Sequence, residues 1–152
     1  LIVYFSPSGN TKAMAEKLAK ATGADLFEIK PQTPYTRADL DWTNNNSRSS
    51  IEMNDKSFRP QIAQLPNSLA NYDTIFIGFP IWWYVAPTII NTFVENVDLN
   101  GKKVIPFATS GGSGMGKTLA NLKPSCPGAN WVEGKVINGM SEKALADWAE
   151  KL

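Results

Sequence analysis

Leu1-Ile2-Val3-Tyr4-Phe5-Ser6-Pro7-Ser8-Gly9-Asn10-Thr11 decides the reading of this chain. The first five residues are apolar and read as a buried strand, and a helical pattern begins at Lys12. Hydroxyls, a glycine and an amide stand between the two. A strand that turns into a helix through such residues presents unpaired N–H groups and the positive end of the helix dipole to an anion. Ser and Thr hydroxyls add donors, and glycine lets the backbone close on the ligand. Residues 6–11 are therefore expected to cradle a phosphate.

The rest of the chain repeats the strand-then-helix rhythm. Apolar runs predict strands over 1–5, 26–30, 74–79, 103–109 and 131–137, the third and fourth nearly continuous, as in strands buried on both faces. Pro106 lacks an N–H and predicts a bulge or an early break in the fourth. Helical spacing predicts helices over 11–22, stopped by Gly23, over 87–97, over 115–122 and over 141–152, capped by Ser141. Alternating strands and helices imply an α/β fold with a parallel sheet covered on both faces. Residues 31–66 break the rhythm with Pro31, Pro34, Pro60 and Pro66 around the polar stretch 44–50. They read as a long solvated connection or as a loop beside a substrate, with helical turns near 38–42 or 51–53.

Composition narrows the function. At 152 residues and 43% apolar content, one core and a single domain over 1–152 are expected. Fifteen basic against fourteen acidic residues leave a net charge of +1 without a dense basic stripe, so nucleic acid is not an expected partner. No apolar run reaches transmembrane length and no signal peptide is evident, so no membrane partner is expected. The single cysteine, Cys126, excludes an internal disulfide and suits the cytoplasm; lacking a neighbouring His or clustered cations, it reads as inert. The chain has no histidine, which excludes a Ser-His-Asp triad, a Cys-His pair and an HExxH zinc site. Chemistry must come from carboxylates, hydroxyls, lysines or a borrowed cofactor.

Ligands of open parallel sheets bind beyond the carboxyl ends of the strands. Here the third strand runs into Gly78-Phe79-Pro80-Ile81-Trp82-Trp83-Tyr84-Val85-Ala86-Pro87, whose three adjacent aromatics suit a flat conjugated ligand. The fourth ends in Thr109-Ser110-Gly111-Gly112-Ser113-Gly114-Met115-Gly116, where small residues let backbone N–H groups approach a ligand edge. A phosphate cradle, an aromatic wall and a backbone fence together describe a phosphorylated planar heterocycle, and flavin mononucleotide (FMN) fits the set.

With these motifs in order, the chain resembles the flavodoxins, in particular a short-chain bacterial group with a Gly-Phe-Pro-Ile-Trp-Trp loop and Ser-Gly-Gly-Ser-Gly after the fourth strand. The resemblance covers essentially the whole chain. It implies a three-layer αβα sandwich with a five-stranded parallel sheet in the order 2-1-3-4-5. It also implies that Ser6, Ser8, Gly9, Asn10 and Thr11 hold the FMN phosphate, and that Pro80, Ile81, Trp82 and Trp83 line the isoalloxazine. Thr109, Ser110, Gly111, Gly112 and Gly114 would contact the pyrimidine edge and the ribityl chain. The implied function is electron transfer through non-covalently bound FMN to redox partner proteins. An FMN-dependent NAD(P)H oxidoreductase acting on a quinone-like small acceptor is the alternative.

Two departures from the electron carriers matter. Neither 78–87 nor 109–116 contains Asp or Glu, so repulsion of reduced, anionic flavin is weaker. Ile81, Trp82 and Trp83 are bulky where carriers often have a glycine, and positive φ is costly for them. Both points favour two-electron chemistry. No acid or base stands out beyond Tyr84, and Trp42, Trp131 and Trp148 read as packing residues. Residues 111–118 also match the Walker A pattern GxxxxGK[ST], a remote alternative, because no other strand ends in the Asp such a site needs for magnesium. Lys117 and Thr118 read instead as the first turn of a solvent-facing helix. A phospho-accepting receiver domain needs an Asp after the third strand, where Phe79-Pro80 stands.

Overall fold

The apolar runs and helical patterns fold in alternation, as a computed structural model describing residues 1–152 shows. The order is β1 (Ile2–Tyr4), α1 (Asn10–Thr22), β2 (Leu26–Glu28), α2 (Arg48–Met53), β3 (Thr74–Pro80), α3 (Thr88–Asn96), β4 (Lys103–Thr109), α4 (Thr118–Leu122), β5 (Asn130–Trp131), β6 (Lys135–Val136) and α5 (Glu142–Glu150). Every strand pair is parallel, in the order β2-β1-β3-β4-β5, with β6 also beside β4. The expected order 2-1-3-4-5 holds, and the expected fifth strand is present as two short pieces.

Successive side chains of a strand point to opposite faces, and both faces here are covered. Val3, Phe5, Ile75 and Ile77 join Ile89, Ile90 and Phe93 of α3 in one buried cluster. Ile2, Tyr4, Phe76 and Ile105 join Met14 and Leu18 of α1 and Leu145 of α5 in the other. The result is three layers, with the loops after β1, β3 and β4 at one end of the sheet.

Pro106 explains the divided fifth strand. Its pairing with Ile77 of β3 is uninterrupted. The Lys103 N–H points that way, donating to the Asp73 carbonyl at 2.9 Å, whereas the carbonyls of Lys102, Val104 and Ala108 accept from Asn130, Val132 and Ile137. Even-numbered residues of β4 thus serve the outer side, where Pro106 has no donor to give. There the register advances three residues on β4, from Val104 to Phe107, but four on its neighbour, from Trp131 to Lys135. The extra residue is a bulge. Gly134 permits it, since a Cβ at that position would fall 2.2 Å from the Pro106 carbonyl oxygen.

The helix ends follow local chemistry. Gly23, left-handed at φ 73, closes α1 by donating its N–H to the Ala19 carbonyl at 2.7 Å. The Ser141 hydroxyl accepts from the Ala144 N–H at 3.1 Å and opens α5. The expected helix over 115–122 begins only at Thr118, because Gly116 is left-handed at φ 54.

Residues 31–66 are not simply a solvated connection. Their ends are tied by an antiparallel bridge between Pro31 and Ile62. Within them Ser47, Ser49, Ser50 and Glu52 are buried. The Ser47 hydroxyl caps α2 and bonds the Ser50 hydroxyl at 2.9 Å, so the polar stretch satisfies its own donors and can pack.

Candidate functional site

The turn after β1 presents donors without partners. Gly9, at φ 91, turns the chain into α1, and the Ser6 hydroxyl accepts the Lys12 N–H at 2.9 Å. The N–H groups of Ser8, Gly9, Asn10 and Thr11 donate to no group of the protein. These are the orphan donors of a helix start, at its partly positive end. The Thr11 side chain is committed elsewhere: it is 1% exposed, and its hydroxyl lies 2.8 Å from that of Thr109. That bond ties the first loop to the end of β4.

A cleft of about 700 Å³ opens over this turn. Pro7, Ser8 and Asn10 line it from the first loop, Pro80, Ile81 and Trp82 from the end of β3, and Thr109, Ser110 and Gly111 from the end of β4. The three loops singled out in the sequence therefore converge on one space. Ser6, Gly9, Thr11, Gly112 and Gly114 belong to the same loops but stand outside the cleft wall.

The glycine loop is partly self-satisfied. The Ser110 hydroxyl accepts from the N–H of Gly112 at 3.2 Å and of Ser113 at 2.9 Å, which leaves the N–H groups of Gly111 and Gly114 without protein acceptors. Asn138, after β6, clamps the loop: its Oδ1 accepts the Ser110 N–H and its Nδ2 donates to the Ser110 carbonyl, both at 2.8 Å. Sequence reasoning missed Asn138, whose only signal is an amide followed by Gly139 at the end of the sheet.

Trp82 is held from behind. Its ring meets Phe5 edge-on at 5.8 Å and Tyr35 at 5.7 Å. The Arg48 guanidinium lies 3.7 Å over the Tyr35 ring, its Nε donates to Glu52 at 2.9 Å, and the Tyr35 hydroxyl donates to the other Glu52 oxygen. Burial, reinforced by the Glu52 carboxylate, holds the Tyr35 phenol far above its ordinary value, so it stays protonated at neutral pH. The segment 31–66 also brings Leu40 and Trp42 to the cleft wall. Trp42 is 72% exposed, so it is a rim residue and not the packing residue expected; Trp148, against Phe76 at 5.7 Å, does pack.

Trp83 faces elsewhere. Trp82 and Val85 exchange hydrogen bonds of 2.9 and 3.1 Å, closing a two-residue turn with Trp83 at φ 49 and Tyr84 at φ 67. This is the type I′ pattern that Asn-Gly normally adopts. The expected resistance of bulky residues to positive φ is thus overturned at Trp83, because the paired bonds of the turn impose it. Gly116 backs the turn, where a Cβ would lie 2.3 Å from the Tyr84 carbonyl oxygen. Trp83 and Tyr84 line a second cleft instead of the first. Lys117 lines that second cleft too, while Thr118 is fully buried and donates to the Met115 carbonyl at 2.5 Å, not the solvent-facing position expected for it.

Comparison with known proteins agrees with the fold. A structure of a protein designated a flavoprotein from Bacteroides eggerthii is 51% identical, with a TM-score of 0.94, covering 99% of this chain and 94% of that one. A flavoprotein from Lactobacillus acidophilus, solved in complex with FMN, is 29% identical, with a TM-score of 0.67, covering 88% of this chain and 89% of that one. The uncharacterized NAD(P)H oxidoreductase YcaK of Escherichia coli is 28% identical over 102 residues, 66% of this chain. The chain spans about half the length of that relative, 47%. No helix is long and apolar enough to cross a membrane. A family model described as flavodoxin matches residues 1–152, and the chain belongs to the flavodoxin family.

Proposed function

We propose that this flavodoxin binds FMN non-covalently in the first cleft and carries electrons through it, as one domain over 1–152. The observation that carries the reading is the run of unpaired N–H groups at the start of α1, of which Ser8 and Asn10 line the cleft together with Trp82 and Gly111. These residues fit the cofactor. A dianionic phosphate needs donors and positive potential without a competing carboxylate, and the start of α1 supplies both with no acidic residue in its first turn. A flat ring needs apolar walls, which Trp82, Ile81 and Trp42 supply. The free N–H of Gly111, in the cleft wall, suits a carbonyl edge of the ring. Bound FMN supplies the redox chemistry. The protein's part is to fix the phosphate, hold Trp82 rigid through Phe5 and Tyr35, and exclude water from one ring face.

The test is titration of the protein with FMN, followed by flavin fluorescence and visible absorbance. Ser8→Asp places a carboxylate among the unpaired N–H groups and should weaken FMN by at least about tenfold, while riboflavin, lacking the phosphate, should be hardly affected by the change. Equal FMN affinity in the wild type and the variant would overturn the phosphate assignment.

A second reading, an FMN-dependent NAD(P)H oxidoreductase with a quinone-like acceptor, draws support from two observations. The aromatic and glycine loops contain no carboxylate to repel reduced flavin, and the match to YcaK points the same way. Steady-state NAD(P)H oxidation with a quinone by the FMN-loaded protein separates the two: turnover marks the enzyme, and its absence marks a carrier for protein partners. The single, buried thiol of Cys126 suits a cytoplasmic setting for either.

A further inference from the structure

The second cleft, also of about 700 Å³, shares no lining residue with the first. The two meet at the Trp82–Val85 turn, Trp82 facing one and Trp83 and Tyr84 the other. Four features of the second cleft are unexplained by the fold. Thr88, at its wall, is 6% exposed, and its hydroxyl is the one buried side-chain polar atom without a hydrogen-bond partner. Buried side-chain polar atoms are otherwise satisfied in this protein, so this one points to a missing partner. Thr88 also begins α3, where the N–H groups of Thr88 and Ile89 donate to no protein group and Pro87 offers no side-chain cap.

The charge around it is one-sided. Lys56 and Lys117 line the cleft and their ammonium groups make no ion pair or hydrogen bond, whereas Arg59 is neutralised by Glu95 at 2.8 Å. No carboxylate lines the space. Its aromatic wall is built at a cost, since Trp83 and Tyr84 hold left-handed conformations that neither residue favours. Both rings are nonetheless exposed, 42% and 69%. Strain that presents two aromatic rings to solvent beside uncompensated positive charge is the pattern of a binding wall, not of a core.

We propose that this cleft binds an aromatic carboxylate. The carboxylate is held by the Thr88 hydroxyl and the start of α3, Lys56 and Lys117 add attraction, and the ring lies against Trp83 and Tyr84. This goes beyond FMN binding and does not depend on it: the two clefts share no lining residue, and Trp83 is the one residue expected to line the isoalloxazine that lines this cleft.

The test uses 2-naphthoate, with naphthalene-2-carboxamide as the neutral counterpart, titrated into the protein with and without saturating FMN. Calorimetry gives affinity and amide chemical shifts give location. The expected result is binding of 2-naphthoate in both forms, with shifts at Tyr84, Thr88 and Lys117, and binding of the carboxamide at least about tenfold weaker. Lys56→Ala/Lys117→Ala and, separately, Thr88→Val should each weaken 2-naphthoate by about fivefold or more without changing FMN affinity. No binding, equal binding of the carboxamide, shifts confined to Ser8, Trp42 and Gly111, or tighter binding of inorganic phosphate than of 2-naphthoate would each overturn the proposal. Failure of FMN to bind would leave the naphthoate result standing.

Discussion

The Arg48 guanidinium stacks 3.7 Å above the Tyr35 ring while its Nε bonds Glu52, so one cation serves a π face and a carboxylate that is 2% exposed. Arg48→Ala should therefore cost about 2–3 kcal/mol by urea unfolding, since it strands a buried charge, with some relief from water at the partly exposed arginine site. Glu52→Gln should cost less, because the charge it leaves unpaired is the one that water reaches. Flavin affinity should fall with Arg48→Ala as well, through the loosened Tyr35–Trp82 contact.

The Thr11–Thr109 bond gives a second expectation. Thr11→Val leaves the 5% exposed Thr109 hydroxyl without its partner and should destabilise the protein by about 1–2 kcal/mol. Thr11→Ser, which keeps the hydroxyl, should restore most of that. Thermal unfolding of the two variants without FMN separates this structural role from any direct contact with phosphate.

The strained turn predicts a gain. Replacing Trp83-Tyr84 by Asn-Gly supplies residues that accept the φ values of 49 and 67, and should stabilise the FMN-free protein by about 1–2 kcal/mol. A lower melting temperature would mean that the two aromatic rings contribute more through packing than the backbone loses. Gly116→Ala should cost about 1–3 kcal/mol, because its Cβ would overlap the Tyr84 carbonyl.

Alkaline stability should be set by tyrosines. Burial, then the Glu28 carboxylate, pushes Tyr4 up to about 12, and burial together with Glu52 pushes Tyr35 higher still. Above the ordinary value of 10.0 the unfolded chain releases these protons while the folded chain keeps them. The unfolded state then binds fewer protons, so stability is complete below that value and falls as pH rises through it. Urea midpoints should drop as pH rises from about 10 to about 12, and Tyr35→Phe should flatten the drop while lowering stability at neutral pH.

Much of this was legible in the chain. Continuous apolar runs identified β3 and β4 because strands buried on both faces carry no polar alternation, and Gly23 and Ser141 mark helix ends by chemistry that acts within four residues. The convergence of Ser8, Trp82 and Gly111 was legible for the same reason, since a parallel sheet brings its loops to one end. Long-range burial was not. Ser47, Ser49 and Ser50 look like a solvated run, and only the hydrogen bonds among them and to the Asn44 carbonyl let them pack. Trp42 looks like core and sits on a rim. The turn at Trp83 escaped because local preference argues against it, and the closure between Trp82 and Val85 overrides that preference.

The divided outer strand has a consequence for how copies of this protein meet. A long, straight border of unpaired N–H and C=O groups invites another chain to add itself and propagate. Here one border is three residues of β2 and the other is two pieces of two residues, offset by the bulge opposite Pro106. Neither offers a template long enough for a neighbour to zip onto, so concentrated solutions should stay free of fibrils. A strand made continuous by removing the extra residue would lose that protection.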